Sequence, residues 1–266
     1  MSYAEVNGLS LYFEEHGPAA DGDGGDPLVL LHGGLGSGEM FAPLLPALAE
    51  RRRVLVVDLQ AHGRTADIDR PLQAELMADD VAALLKEVGA ERADLLGYSL
   101  GAEVALRTAI QHPGLVRRLV VVSAPARRDG WFPEVRAQMD QMSAAAAEPM
   151  KQSPVYDAYA RLAPRAEDWP VLVGKVAELV QQDYDWTSEI TGITAPTLLV
   201  FGDADAVPPA HMAEFFGLLG GGRKDPGWDG SGRPASRLAV LPGATHYDLF
   251  ASPLLPAAVV PFLDEA

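Results

Sequence analysis

A chain of 266 residues with 48% hydrophobic content can bury a sizeable core, which excludes wholesale disorder and fits one large α/β domain or a domain carrying an insertion. Its 37 acidic residues against 21 basic ones leave a net charge of −16; this repels phosphate backbones and gives no footprint for nucleic acid, and while small neutral or cationic substrates suit it better, solubility is the favoured reading of the charge. The lack of cysteine excludes disulfides, thiolate catalysis and Cys metal sites, and the opening Met1-Ser2-Tyr3-Ala4-Glu5-Val6, with no long apolar run later, gives the expectation of a cytoplasmic protein without a membrane segment.

Residues 3–6 and 9–14 predict an opening hairpin, because Asn7-Gly8 supplies the positive φ angles of a tight turn. Short continuous Val- and Leu-rich runs follow at 28–31, 54–59, 93–96, 119–122, 197–201 and 238–241, the mark of strands covered on both faces. Helix-like segments at 40–49, 72–88, 102–111, 210–219 and 254–264 alternate with them, which predicts a mostly parallel sheet flanked by helices. Residues 126–192 break the rhythm: they hold no strand signal and are punctuated by Pro133, Pro149, Pro154, Pro164 and Pro170. That length is too great for a structureless connection, so the expected organisation is a core of 1–125 and 193–266 with a helical cap over 126–192, inserted after the sixth strand. Trp131, Phe132, Met139, Met142, Tyr156, Tyr159 and Trp169 are its candidates for lining a substrate pocket. The glycine-rich stretch 220–232 lacks the spacing of a phosphate-binding loop and reads as a surface loop.

The chemistry concentrates at Gly97-Tyr98-Ser99-Leu100-Gly101, which directly follows one strand-like run and precedes a helix-like one. A serine at the tip of so sharp a turn needs neighbours without a Cβ on either side, and Gly97 and Gly101 meet that need. As a nucleophile Ser99 requires a base and a carboxylate to orient the base. His246, in Pro242-Gly243-Ala244-Thr245-His246, lies in a loop after the last strand, whereas His112 and His211 sit on helix-like segments. In Gly202-Asp203-Ala204-Asp205, Asp205 lies two residues farther into the loop and is the favoured third member, with Asp203 left to cap the loop. An oxyanion site calls for the Leu100 N–H and a donor from His32-Gly33-Gly34-Leu35-Gly36-Ser37, with Gly34 the first choice and Leu35 the second.

Together with Asp58-Leu59-Gln60-Ala61-His62-Gly63-Arg64-Thr65, these elements resemble the α/β-hydrolase superfamily from end to end. The resemblance implies an eight-stranded sheet with its second strand antiparallel, a triad of Ser99, Asp205 and His246, no metal or organic cofactor, and hydrolysis of a small-molecule ester or lactone. Within the superfamily the chain looks like the capped carboxylesterase, haloperoxidase-like and enol-lactonase group. The same triad is similar to that of carbon-carbon hydrolases, acyltransferases and peracid-forming enzymes, and a ligand receptor with a slow triad is a reading of another class. Two departures stand out: Ala61 where relatives usually carry glycine, and Glu103, one helical turn after Ser99, where a small residue is usual.

Overall fold

The computed structural model describes residues 2–18 and 25–265. Asn7 and Gly8 take φ angles of 51° and 82° and fold β1 (Ser2–Val6) onto β2 (Leu9–His16), as their sequence predicts. The remaining strands are β3 (Leu28–Leu31), β4 (Val54–Val57), β5 (Ala93–Tyr98), β6 (Val116–Val122), β7 (Thr197–Ala204) and β8 (Arg237–Thr245). They form one eight-stranded sheet in the order β1-β2-β4-β3-β5-β6-β7-β8. The β1–β2 and β2–β4 pairs are antiparallel and all others parallel, so the second strand is the one that runs against the rest.

The helices of the framework are α1 (Leu45–Leu48), α2 (Ala74–Glu87) and α3 (Leu100–Gln111). Between β6 and β7 come α4 (Pro133–Gln141), α5 (Ala147–Met150), α6 (Pro154–Leu162), α7 (Trp169–Val180) and α8 (Thr187–Ile190), followed later by α9 (Pro209–Leu218) and α10 (Leu254–Asp264). Alternate residues of β3 feed two cores: Val29 and Leu31 join Met77, Val81 and Leu84 of α2 and Val104 of α3, while Leu28 and Leu30 join Leu48 of α1 and Val259 and Phe262 of α10. Burial on both faces is what the unbroken Leu-Val-Leu-Leu run requires, at about 1.5–3 kcal/mol for each such side chain.

One expected helix is not continuous. Residues 38–49 hold a 3₁₀ turn, Gly38–Phe41, and then only the four-residue α1, because Pro43 and Pro46 lack the N–H groups an uninterrupted helix needs and are tolerated only in a first turn. The prolines of residues 126–192 act the other way: Pro133, Pro154 and Pro170 stand at the first or second positions of α4, α6 and α7, where a missing N–H costs nothing. The excursion is closed at its base by an antiparallel bridge between Arg127 and Asp185. It is pinned to the β4–α2 connection by Lys175 of α7, whose Nζ donates to both oxygens of Asp67 (2.9 and 2.7 Å) and to the carbonyls of Ile68 and Arg70 (2.8 and 2.7 Å). Among the described residues no helix is long and apolar enough to cross a membrane.

Candidate active site

Ser99 alone makes the turn from β5 into α3, with φ 50° and ψ −118°. A side-chain-bearing residue held there stores strain of about 1–3 kcal/mol, and its neighbours leave no looser route. A Cβ on Gly97 would stand 2.0 Å from the Gly101 carbonyl oxygen, and one on Gly101 2.0 Å from that of Leu31. The Ser99 carbonyl accepts the N–H groups of Ala102 (2.9 Å) and Glu103 (3.1 Å), so the positive end of the α3 dipole lies under the serine.

The ends of β7 and β8 approach so closely that a Cβ on Gly202 would meet the Ala244 oxygen at 2.1 Å. β8 continues through Thr245, beyond the expected strand end at 241, and delivers His246 directly from its tip. Asp205 is buried and accepts four hydrogen bonds: from Ser123 Oγ (2.6 Å) and Gly202 N–H (3.0 Å) on Oδ2, and from Ala206 N–H (2.7 Å) and His246 Nδ1 (3.3 Å) on Oδ1. Burial opposes ionisation of this carboxyl, but the bonds from His246, Ser123 and Gly202 outweigh it and hold the group below the ordinary carboxylate range. An ionised carboxylate only accepts, so Nδ1 carries the imidazole proton and Nε2 is left with its lone pair. Asp203 takes the expected capping role, accepting the Gly243 N–H at 2.9 Å. The His246 ring lies among Tyr98, Trp131 and Tyr247, with ring centroids 5.3, 5.5 and 5.3 Å away, and the Tyr98 hydroxyl donates to its carbonyl.

The loop after β3 is held by two buried histidines. Each turns one ring nitrogen onto a nearby carbonyl, His32 Nδ1 on Gly33 O and His62 Nδ1 on Gln60 O, both at 2.8 Å. Each Nε2 then accepts a backbone N–H, from Leu59 and from Leu35, both at 3.0 Å. Burial pushes His32 down to about 4; burial and the neighbouring His32 push His62 down to about 3. Both are therefore neutral at ordinary pH, as an accepting nitrogen requires. Since the Leu35 N–H is taken by His62, Leu35 is corrected as an oxyanion donor. The Gly34 N–H makes no hydrogen bond among the described residues, and that of Leu100, first in α3, has no intrahelical partner.

Ser99, His246, Gly34, Leu35 and Leu100 line one cavity of about 290 Å³, closed from above by Trp131, Val135, Met139 and Met142 and by Val176, Leu179 and Val180 of α7. Ser99 and His246 share its wall without a hydrogen bond to one another among the described residues. Of the candidate lining residues, Trp131, Met139 and Met142 stand in the wall of this cavity and Phe132, Tyr156, Tyr159 and Trp169 do not. Trp169 is fully buried, donates its indole N–H to Ala147 O (2.8 Å) and meets the rings of Tyr156 and Tyr159 at 5.5 and 5.1 Å; these three hold the inserted helices to one another. Phe132 caps α4. Sequence reasoning missed Ser123 and Tyr98 as partners of Asp205 and His246. Position directly after β6 and directly before the nucleophile was the available signal.

Glu103 also faces the cavity. Its Oε1 accepts the Tyr184 hydroxyl at 3.0 Å, and burial pushes its carboxyl up to about 7.

Comparison with known proteins agrees with this architecture. A model of the alpha/beta hydrolase fold family matches residues 26–150. The chain is 30% identical over 80% of its length, and 84% of the relative's, to RutD of Azorhizobium caulinodans, assigned as a carbamate hydrolase. It is also 30% identical, over 86% of its length and 91% of the relative's, to the pimeloyl-[acyl-carrier protein] methyl ester esterase of Aeromonas hydrophila. The crystal structure of the enol-lactonase from Burkholderia xenovorans superposes with a TM-score of 0.72 at 24% identity, covering 99% of this chain and all of that one. The protein belongs to the α/β-hydrolase fold family. These relatives are named as a hydrolase and an esterase, which supports hydrolase activity on small molecules for this chain too.

Proposed function

We propose that the protein is a serine hydrolase that cleaves carboxylic ester or lactone bonds of small molecules through an acyl-enzyme. The observation that carries this reading is one arrangement: a strained Ser99 in a cavity shared with a His246 whose Nδ1–H is held by the ionised Asp205. Ser99 Oγ attacks the carbonyl carbon while His246 Nε2 takes its proton; Asp205 fixes the tautomer and stabilises the imidazolium. The tetrahedral oxyanion is received by the Gly34 and Leu100 N–H groups, aided by the α3 dipole. The proton passes from Nε2 to the leaving alkoxide, and water activated by the same nitrogen then releases the acid. Residues 126–192 act as the cap, whose Trp131, Met139 and Met142 shape the pocket. The relative assigned as a carbamate hydrolase favours a second reading, carbamate or amide cleavage with the same groups.

The test is turnover of a chromogenic ester series from acetyl to decanoyl, with an aryl ester and a lactone, by the wild type and Ser99→Ala. Turnover by the wild type that vanishes in the variant is expected, and the preferred chain length sizes the pocket. Folded wild-type protein inactive on the whole series would sink the ester reading.

A further inference from the structure

Beyond Ser99, His246 and Tyr247, the one polar side chain in the wall of the cavity around Ser99 is Glu103. Glu103 lies in the first turn of α3, four residues after the N-cap Ser99, so its backbone stands about 6 Å farther along the helix axis, and both residues line the same cavity. A carboxyl in an otherwise aliphatic and aromatic wall is costly unless something pairs with it. One oxygen is held by the Tyr184 hydroxyl; the other has no hydrogen-bond partner among the described residues. The cations nearby are engaged elsewhere. Arg107, over the Trp186 ring at 5.3 Å, pairs with Glu75 and Glu189 (3.4 and 3.0 Å), and Arg128 pairs with Asp140 and Asp183.

Glu103 also stands at a junction. A second, smaller cleft of about 90 Å³ shares Glu103, Trp131, Met139, Leu179 and Val180 with the first, and its walls add Glu75, Arg128, Asp183, Tyr184 and Trp186. Acidic groups with tryptophan and tyrosine rings form the surroundings that bind an ammonium group, through charge and through the ring quadrupoles. The net charge of −16 draws cations toward such a site.

We propose that Glu103 is a specificity-determining residue that binds a cationic amine on the substrate, so that the preferred substrates are amine-bearing acyl compounds with the nitrogen about one helical turn from the scissile carbonyl. This rests on the Ser99 cavity being the reaction site. The geometry supplies a carboxyl oxygen without a hydrogen-bond partner among the described residues, and Arg128, the guanidinium on the cleft wall, is engaged by Asp140 and Asp183. Because burial holds the Glu103 carboxyl near 7, a bound ammonium favours its ionised form and binding expels a proton. The groups facing Glu103 are Tyr184, Glu75 from α2, Arg128 at the cleft wall and His246 across the cavity.

The test is calorimetric binding of pentylammonium and of 1-pentanol at pH 7 to the wild type, Glu103→Gln and Glu103→Asp, in buffers of different ionisation enthalpy. The wild type is expected to bind pentylammonium at least about tenfold more tightly than pentanol, releasing about half a proton. Glu103→Gln is expected to lose that preference and the proton release, and Glu103→Asp to keep part of both. Equal affinity for the two probes, or a pentylammonium affinity unchanged in Glu103→Gln, overturns the proposal. If Glu103→Gln does not fold, the wild-type comparison and its proton release still decide. Ester turnover enters none of these readings, so failure of the ester assay and failure of the amine subsite are separate results.

Discussion

Ala61 occupies the left-handed region, φ 66°, which costs a residue with a Cβ about 1–2 kcal/mol. Glycine relieves that strain while losing part of the gain to its freer unfolded chain. Ala61→Gly is therefore expected to raise the unfolding free energy by about 0.5–1 kcal/mol in a urea titration, and a loss of stability would contradict the strain argument. The sequence marked this position as a departure but not its meaning, because φ is invisible until the loop is built. Equally invisible in the sequence was the left-handed φ of 53° at Ser123, whose hydroxyl donates to Asp205. Ser123→Ala is expected to lower kcat/KM on the preferred ester by about three- to tenfold, with Asp205 still held by its other donors; an unchanged value would remove Ser123 from the positioning of Asp205. At Glu103 the sign runs against the usual carboxylate. The unfolded chain gives up the proton from about 4.5 upward, while the folded state keeps it to about 7, so the stability this group contributes is present below 4.5 and lost as pH rises to 7. Glu103→Gln is expected to be more stable than the wild type by up to about 3 kcal/mol at pH 8 and no more stable at pH 4, as read by chemical denaturation at both.

The β3–α1 loop depends on neutral His32 and His62 as acceptors. Their folded-state values lie near 4 and 3, below the ordinary 6.5; the unfolded chain therefore binds protons first, and stability falls as pH drops below about 6.5. Glu103 works in the opposite direction over much of that window, so the loss is clearest in Glu103→Gln, where about 3 kcal/mol is expected to disappear between pH 6.5 and 5. A flat profile would mean the histidines are not held neutral. In the helices inserted between β6 and β7, Lys175→Met removes the pin to Asp67 and the carbonyls of Ile68 and Arg70, and a destabilisation of about 1–3 kcal/mol is expected from thermal unfolding. Strands and most helices were legible because a Val- and Leu-rich run of four buried on both faces has few other places to go. The 40–49 segment was misread because its apolar spacing fits a helix while Pro43 and Pro46 forbid one. Pocket lining by the inserted helices was half legible for a related reason: the sequence marks Trp169 and Met139 alike as apolar residues of that segment, and only the tertiary fold shows that Trp169 is buried against other helices while the partly buried Met139 lines the cavity with Ser99.

Across the whole molecule, the sheet order brings the ends of β5, β7 and β8 to one edge of the cavity, and α7 covers it. The order Ser, Asp, His along the chain was readable because each lies just past a strand that the sequence marks clearly. The proposed oxyanion donors could be narrowed by sequence only to a loop, since the bond from Leu35 to His62, which leaves the Gly34 N–H without a partner among the described residues, joins positions 27 residues apart. The net charge of −16 and the Glu103 carboxyl in the cavity both fit the proposal of a small-molecule hydrolase that admits neutral or cationic substrates.

The most direct test of Ser99 as the nucleophile is acid-quenched mass spectrometry of the wild type mixed with a nitrophenyl ester of its preferred acyl length, followed by peptide mapping. An acyl adduct confined to the peptide carrying Ser99, and absent from Ser99→Ala, is the expected result. Ester cleavage that proceeds without any adduct and survives in Ser99→Ala would contradict it.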